Sequence, residues 1–153
     1  MRLIIVAVGR ASTVDPEAKL YSGYIKRLPW QVTLRDIDER RSVKGAERQA
    51  REAKQLLAAV PDQAAAVVLD EKGKTLDSRA FAALLGRWQD EGRREVAFLI
   101  GGADGHRQEV RARANLVLSL GAMTWPHMLA RVMLAEQLYR ASSILAGHPY
   151  HRD

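Results

Sequence analysis

The sequence contains no cysteine. That excludes disulfide bridges, thiol nucleophiles and thiolate metal sites together, and it is compatible with residence in a reducing cytoplasm. Long apolar runs are missing as well. The opening stretch "LIIVAV", Leu3 to Val8, gives way at once to Gly9 and Arg10. It falls well short of the ~18 apolar residues of a membrane span, and it lacks the length and cleavage pattern of a signal peptide. It reads as a buried first strand, and no membrane association is expected. There is no internal repeat, low-complexity tract or linker. With 153 residues, 47% of them hydrophobic and 27% charged, one globular domain over residues 1–153 is the expectation.

Two nucleotide-binding fingerprints are also absent. "LDEKGKT", Leu69 to Thr75, ends in Gly73-Lys74-Thr75 like a phosphate-binding loop. The glycine required five residues before Gly73 is Val68, however, and Asp70 and Glu71 would repel a triphosphate. "IGGADGH", Ile100 to His106, has three glycines, but their spacing is not that of the dinucleotide fingerprint.

What is present is an alternation of short apolar runs and longer helical patterns. Strands are expected at "RLIIVAV", "QVTLRDI", "AAAVVLD", "EVAFLIGG" and "NLVLSL". Between them lie a helix capped by Asp15 with Pro16 at its first position, a charged helix from Gly45 to Val60 stopped by Pro61, a helix capped by Asp77 or Ser78, and a short helix at "RQEVRARA". A long last helix runs from Pro126 to Ala146. Near-continuously apolar inner strands alternating with helices imply an α/β fold: a mostly parallel sheet with helices on both faces. In such sheets a ligand sits beyond the carboxyl ends of the strands. That singles out the loops after Leu69, Ile100 and Leu120.

The glycines at 101, 102 and 105 allow close backbone approach to a ligand or form a structural turn. "LGAMTWPHMLAR", Leu120 to Arg131, is unusually apolar for a loop and suits either a flat ligand such as adenine or a partner subunit. The last helix is apolar nearly all round, with Leu134, Leu138 and Leu145 on one stripe and Leu129 and Met133 on another. One side meeting the sheet and another meeting a second copy would explain this, so a homodimer is expected.

The net charge is +6, and residues 40–54 hold six basic residues against two acids. Either a solvated helix face or a polyanion-facing surface produces that pattern. The last seven residues, "GHPYHRD", are chemically dense. His151 is a candidate proton acceptor, Arg152 a candidate for stabilising negative charge, and Tyr150 a candidate base-stacking ring. No metal is expected at His148 and His151, which lack thiolate or carboxylate company in the sequence. Glu136 and Arg140 stand at i, i+4 and make either a plain helical pair or an orienting one, with Glu136 the second choice for proton handling. His127 caps or orients the loop, Arg131 lies one turn on at i, i+4, and His106, after the glycine loop, is expected to be exposed.

Taken together, "AVG" at 7–9, "LDEKGK" at 69–74, "IGGADG" at 100–105, "TWPHMLARVMLAEQLYRA" at 124–141 and "HPYHRD" at 148–153 resemble one family. It is the SPOUT-superfamily 23S rRNA pseudouridine N3-methyltransferases, the RlmH type. The resemblance spans the chain, weakly between residues 10 and 62 and strongly from Val68 onward. It implies a SPOUT-type α/β fold whose C-terminal part is threaded as a trefoil knot, contrary to the general rule against knots. It also implies S-adenosylmethionine in a bent pose, held by Leu69, Gly101 and the run Leu120, Gly121, Ala122, Met123, Thr124 and Trp125. Trp125 departs from the leucine or phenylalanine expected there. The implied partners are 23S rRNA in the large subunit or the assembled ribosome, with Arg131 at a phosphate near the mouth of the site and His127 and His106 in reach of the RNA, and a second copy of the chain whose tail closes over the donor loop. A non-catalytic rRNA-binding module would need only the basic face, and would have no use for donor loops and a chemically armed tail.

Overall fold

The computed structural model describes residues 1–38 and 44–153. Five strands form one parallel sheet: β1 (Arg2–Val8), β2 (Gln31–Ile37), β3 (Ala65–Thr75), β4 (Glu95–Ile100) and β5 (Leu116–Ser119), in the order β2-β1-β4-β3-β5. β1, β4 and the first half of β3 are central and buried on both faces, which is why "LIIVAV", "EVAFLI" and "AAVVL" carry no polar alternation. β2 is an edge strand and alternates, as period-two reading of "QVTLRDI" predicts.

The helices are α1 (Pro16–Ile25), α2 (Gly45–Ala58), α3 (Ser78–Asp90), α4 (Gln108–Arg113) and α5 (His127–Ala146). On one face Leu3, Ile5, Val67 and Phe98 pack against Phe81 and Leu85 of α3, Leu134 and Leu138 of α5, and Tyr21 and Ile25 of α1. On the other, Ile4, Val6, Val68 and Leu99 pack against Ala53 and Leu56 of α2 and Val110 of α4. The α/β reading with helices on both faces therefore holds.

Several local expectations shift. Asp77, not Ser78, caps α3, its Oδ1 accepting the Ala80 N–H at 2.7 Å. Ser78 instead bonds Gln137 on α5 at 2.7 Å. Asp15 occupies the cap position of α1 without a side-chain cap bond. The helix begun at Gly45 stops at Ala58, two residues before Val60. Arg40 and Arg41, in the basic run, lie outside the described residues.

The largest correction concerns "LDEKGKT". β3 continues through it to Thr75, pairing with β5 twice: Leu69 opposite Leu118, then Lys74 again opposite Leu118 and Thr75 opposite Ser119. Residues 70–73 bulge out between the two registers, and such a bulge re-aims backbone toward a site. Gly73 is where the bulge presses on β5; a Cβ there would lie 2.7 Å from the Val117 carbonyl oxygen. α5 ends at Gly147 in the left-handed region, φ 69°. The His148 N–H then closes on the Ser143 carbonyl at 2.9 Å, and the chain turns back along its own helix.

Candidate functional site

Two clusters emerge at opposite ends of α5. The first is a cleft of about 480 Å³ beyond the carboxyl ends of β3, β4 and β5. It is lined by Leu69 to Lys72 of the bulge, by residues 100–106, and by Leu120, Gly121, Met123, Thr124, Trp125 and His127. Of the residues assigned to the donor by resemblance, all but Ala122 line it. Met123 is 74% exposed and Trp125 40% exposed, forming an apolar lip.

The cleft's shape comes mainly from backbone held by side-chain hydrogen bonds. Ser119 Oγ accepts the Gly121 N–H at 3.0 Å and lies 3.1 Å from the Glu71 carbonyl, tying the third loop to the bulge. Thr124 Oγ1 donates to Glu71 at 3.2 Å, and the Trp125 indole N–H donates to the Leu120 carbonyl at 3.3 Å. The glycine loop is pinned from α2, where Gln49 donates to the Asp104 carbonyl at 2.8 Å. Gly102 leaves no room for a side chain, since a Cβ would stand 2.9 Å from Val8 and 3.0 Å from the Glu52 carboxylate.

His106 is not the exposed RNA contact expected. It is 5% exposed, and its Nε2 lies 3.1 Å from the Leu69 carbonyl. A carbonyl only accepts, so Nε2 carries the hydrogen. The reason for burial is Gly101, whose absent side chain leaves the imidazole its space; a Cβ there would be 3.0 Å from the ring. Burial holds the His106 pKa below its ordinary value despite the nearby Asp70 carboxylate, and the Arg111 guanidinium acts in the same direction. Burial alone would raise the Asp70 pKa. The Lys72 N–H at 2.9 Å and the Arg111 guanidinium at 2.9 Å outweigh it and hold Asp70 ionised.

Arg131 is likewise not at the mouth of the site. It is 3% exposed, with Nη1 on Asp36 at 2.7 Å and Nη2 on the Gly9 carbonyl at 2.7 Å. It ties α5 to the ends of β1 and β2, so its guanidinium is committed before any phosphate arrives. Beside it the hydroxyl of half-buried Tyr21 is shielded from water, which pushes its phenol up to about 12.

The second cluster gathers the tail on the latter half of α5. The Tyr150 hydroxyl donates to Glu136 Oε1 at 3.1 Å, and Arg140 Nε donates to the same oxygen at 3.0 Å. Arg140 Nη1 meets His151 Nδ1 at 3.2 Å. Because a guanidinium only donates, Nδ1 accepts and Nε2 bears the hydrogen, facing Asp153 at 3.3 Å. Asp153 also takes a two-pronged bond from Arg79 at 2.6 and 2.7 Å. Arg152 is exposed. Burial, then Tyr24 and Glu136, raise the Tyr150 phenol pKa, keeping it a neutral donor.

Within one chain the clusters stay apart. None of residues 148–153 lines the cleft, and Glu136 lies along α5 from His127 by about 14 Å at ~1.5 Å per residue. Between them a hollow of about 640 Å³ shares Leu120 and Gly121 with the cleft and is walled by Val132, Met133 and Glu136. Sequence reading missed Arg27, which stands over the Tyr150 ring, Tyr24, which hydrogen-bonds Tyr150 through its side chain, and Asp36, the partner of Arg131. Only the i, i+3 spacing of Tyr24 and Arg27 hinted at a shared face.

Residues 1–151 match the family model described as "Predicted SPOUT methyltransferase". The chain is similar to a protein of Rhodospirillum centenum named Ribosomal RNA large subunit methyltransferase H, 55% identical over 152 residues and 99% of each chain. A protein of the same name from Zymomonas mobilis subsp. mobilis is 48% identical, over 100% of this chain and 99% of its own. Among solved structures, a probable methylase family protein from Haemophilus influenzae Rd KW20 shares the fold with a TM-score of 0.56. The identity there is 12%, and the match covers 99% of this chain and 70% of that one.

Proposed function

The chain belongs to the SPOUT methyltransferase family, and from that membership we propose that it methylates N3 of a pseudouridine in the 23S rRNA of the large ribosomal subunit. The donor is S-adenosylmethionine, and the enzyme works as a homodimer in the cytoplasm. The observation that carries this reading is the cleft at the ends of β3, β4 and β5, where the donor residues come together.

The residues there fit such a donor. A volume near 480 Å³ suits a nucleoside-sized molecule. The carboxylates of Glu71 and Asp104 favour a ligand carrying a sulfonium and an ammonium, Asp70 being already paired with Arg111. Leu69, Gly101 and Leu120 to Trp125 would hold it through backbone groups and the apolar lip. The bound donor supplies an already activated methyl group. The protein's remaining work is to align the acceptor ring and handle its N3 proton.

The tail cluster supplies those groups. Glu136 and Arg140 orient Tyr150 and His151 through the bonds above, leaving Arg152 free to meet developing charge or phosphate. Glu136 and His151 are the candidate proton acceptors, His151 taking a proton at Nδ1 once Arg140 releases it. His127, half-buried at the start of α5 and lining the cleft, would meet RNA at its rim. Because tail and cleft lie apart in one chain, a second copy packed antiparallel along α5 would join each tail to its neighbour's cleft. The hollow walled by Val132 and Met133 and the exposed Leu129 support such a contact. The knotted threading accords with β5 pairing to both halves of β3.

The test is calorimetric titration with S-adenosylmethionine, followed by mass mapping of rRNA nucleotides with and without the protein. One bound donor per chain and one added methyl on a 23S pseudouridine are expected. Absence of donor binding would overturn the reading, as would methylation of any other position.

A further inference from the structure

We infer that Arg27 is a positioning residue for the tail: its guanidinium, gripped by the rings of Tyr24, Tyr139 and Tyr150, seats Tyr150 on α5 and so presents His151 and Arg152 in one orientation. The inference rests on the reading of the tail as part of the methyl-transfer site.

Arg27 lies in the turn just after α1, where its N–H bonds the Tyr24 carbonyl at 3.1 Å. Its guanidinium carbon stands 4.0 Å from the centre of the Tyr139 ring, 5.7 Å from that of Tyr150 and 5.9 Å from that of Tyr24. Among the described residues its side chain has no ion pair and no hydrogen bond. The residue is exposed to solvent, and the protein contacts of its charge are ring faces. A guanidinium is planar and weakly hydrated, and it suits that role better than an ammonium does.

The rings themselves form a chain of contacts from one element to the next. Tyr139 of α5 leans on Tyr24 of α1 with centroids 6.2 Å apart, and meets Tyr150 edge-on at 4.6 Å. Arg140 covers the Tyr150 ring as well, at 4.9 Å. Tyr150 is thus contacted by two guanidiniums and an aromatic edge while its hydroxyl reaches Glu136. An irregular tail of this length is entropically costly to order. Its two other anchors differ in kind. The Arg79–Asp153 pair is exposed and open to screening by salt. The Arg140–His151 contact follows directly on Tyr150 in the chain, so seating the ring and making that contact support one another. Arg27 acts on the seating of the ring.

The test uses the full chain with S-adenosylmethionine and large ribosomal subunits that lack the modification. It compares Arg27→Ala, Arg27→Lys and Tyr139→Phe, the last of which keeps the ring. Arg27→Ala is expected to lower kcat about tenfold, leaving KM for the subunit and the calorimetric Kd for the donor within about twofold. Amide exchange over residues 148–153 is expected to speed up by a similar factor. Arg27→Lys should recover part of both effects, and Tyr139→Phe should match the unaltered chain. Unchanged tail exchange would overturn the inference. So would a loss confined to KM, which would make Arg27 an RNA contact. If the unaltered chain transfers no methyl group at all, the functional reading fails, and the exchange comparison still decides whether Arg27 seats the tail.

Discussion

The donor cleft and the tail cluster are built in opposite ways. The cleft is made of backbone at strand ends, where glycines let chains approach and buried side chains such as His106 and Ser119 hold them from behind. The tail cluster is made of long charged and aromatic side chains meeting over an irregular segment. A backbone-built site breaks when a side chain is added, whereas a site built from side chains breaks when one is removed. The first kind of damage should appear in stability and donor affinity, the second in turnover.

The largest effect is expected at Gly73. A Cβ there meets the backbone of Val117 at 2.7 and 2.8 Å, and β5 cannot yield without losing its second register on β3. Gly73→Ala should cost about 3 kcal/mol, at the upper end for overpacking. Urea denaturation would read it, with donor affinity falling in parallel. A variant of unaltered midpoint and affinity would mean that the bulge is not held by β5.

Next comes removal of residues 151–153. The segment contributes no wall to the cleft and no core residue, so donor affinity should stay within about twofold. Turnover should drop at least about a hundredfold, or ~2.7 kcal/mol in barrier height. Normal methylation by the truncated chain would take the tail out of the mechanism and erase the contrast between the two regions.

A third expectation concerns pH and tests how firmly His106 supports the cleft. Its folded pKa lies below the ordinary 6.5, principally through burial. The unfolded chain therefore takes up a proton that the folded chain refuses. Stability from this residue is complete above pH 6.5 and is lost as the pH falls from there toward the folded value, by at most about 1.4 kcal/mol per unit. His106→Leu should flatten the urea midpoint between pH 7 and the point where carboxylates begin to titrate. An equally steep profile in that variant would assign the dependence elsewhere.

How far each region was readable in the sequence follows from the same difference. The five strand segments and the loops that matter could be named beforehand, because apolar runs and glycine turns are local signals. The individual donor residues came from the family resemblance, and the strand order from neither. Register is not local. Nothing in "LDEKGKT" says that β3 resumes after its bulge, since that depends on β5 more than forty residues later. Burial of polar groups is also invisible to pattern. His106 and Arg131 look like surface residues by type, and each is buried by a contact distant in sequence: His106 on Leu69, Arg131 on Asp36 and Gly9. The tail's chemical groups were legible by composition, but their docking on Glu136 and Arg140 of the same chain was not.

The smallest effect is expected where the tail is held most visibly. Arg79 grips Asp153 with two bonds of 2.6 and 2.7 Å, the shortest contacts the tail makes. Yet the two side chains are 57% and 72% exposed, so water and salt compete for both partners. The pairing holds the Asp153 carboxyl below the usual carboxylate range, and His151 adds to it, but an exposed pair of this kind orders little. Arg79→Ala should therefore leave the denaturation midpoint unchanged within error and turnover within about twofold, with no added salt dependence of kcat. A large loss of turnover in that variant, relieved by nothing at Arg27, would move the tail's anchor from the tyrosine rings to its final carboxylate.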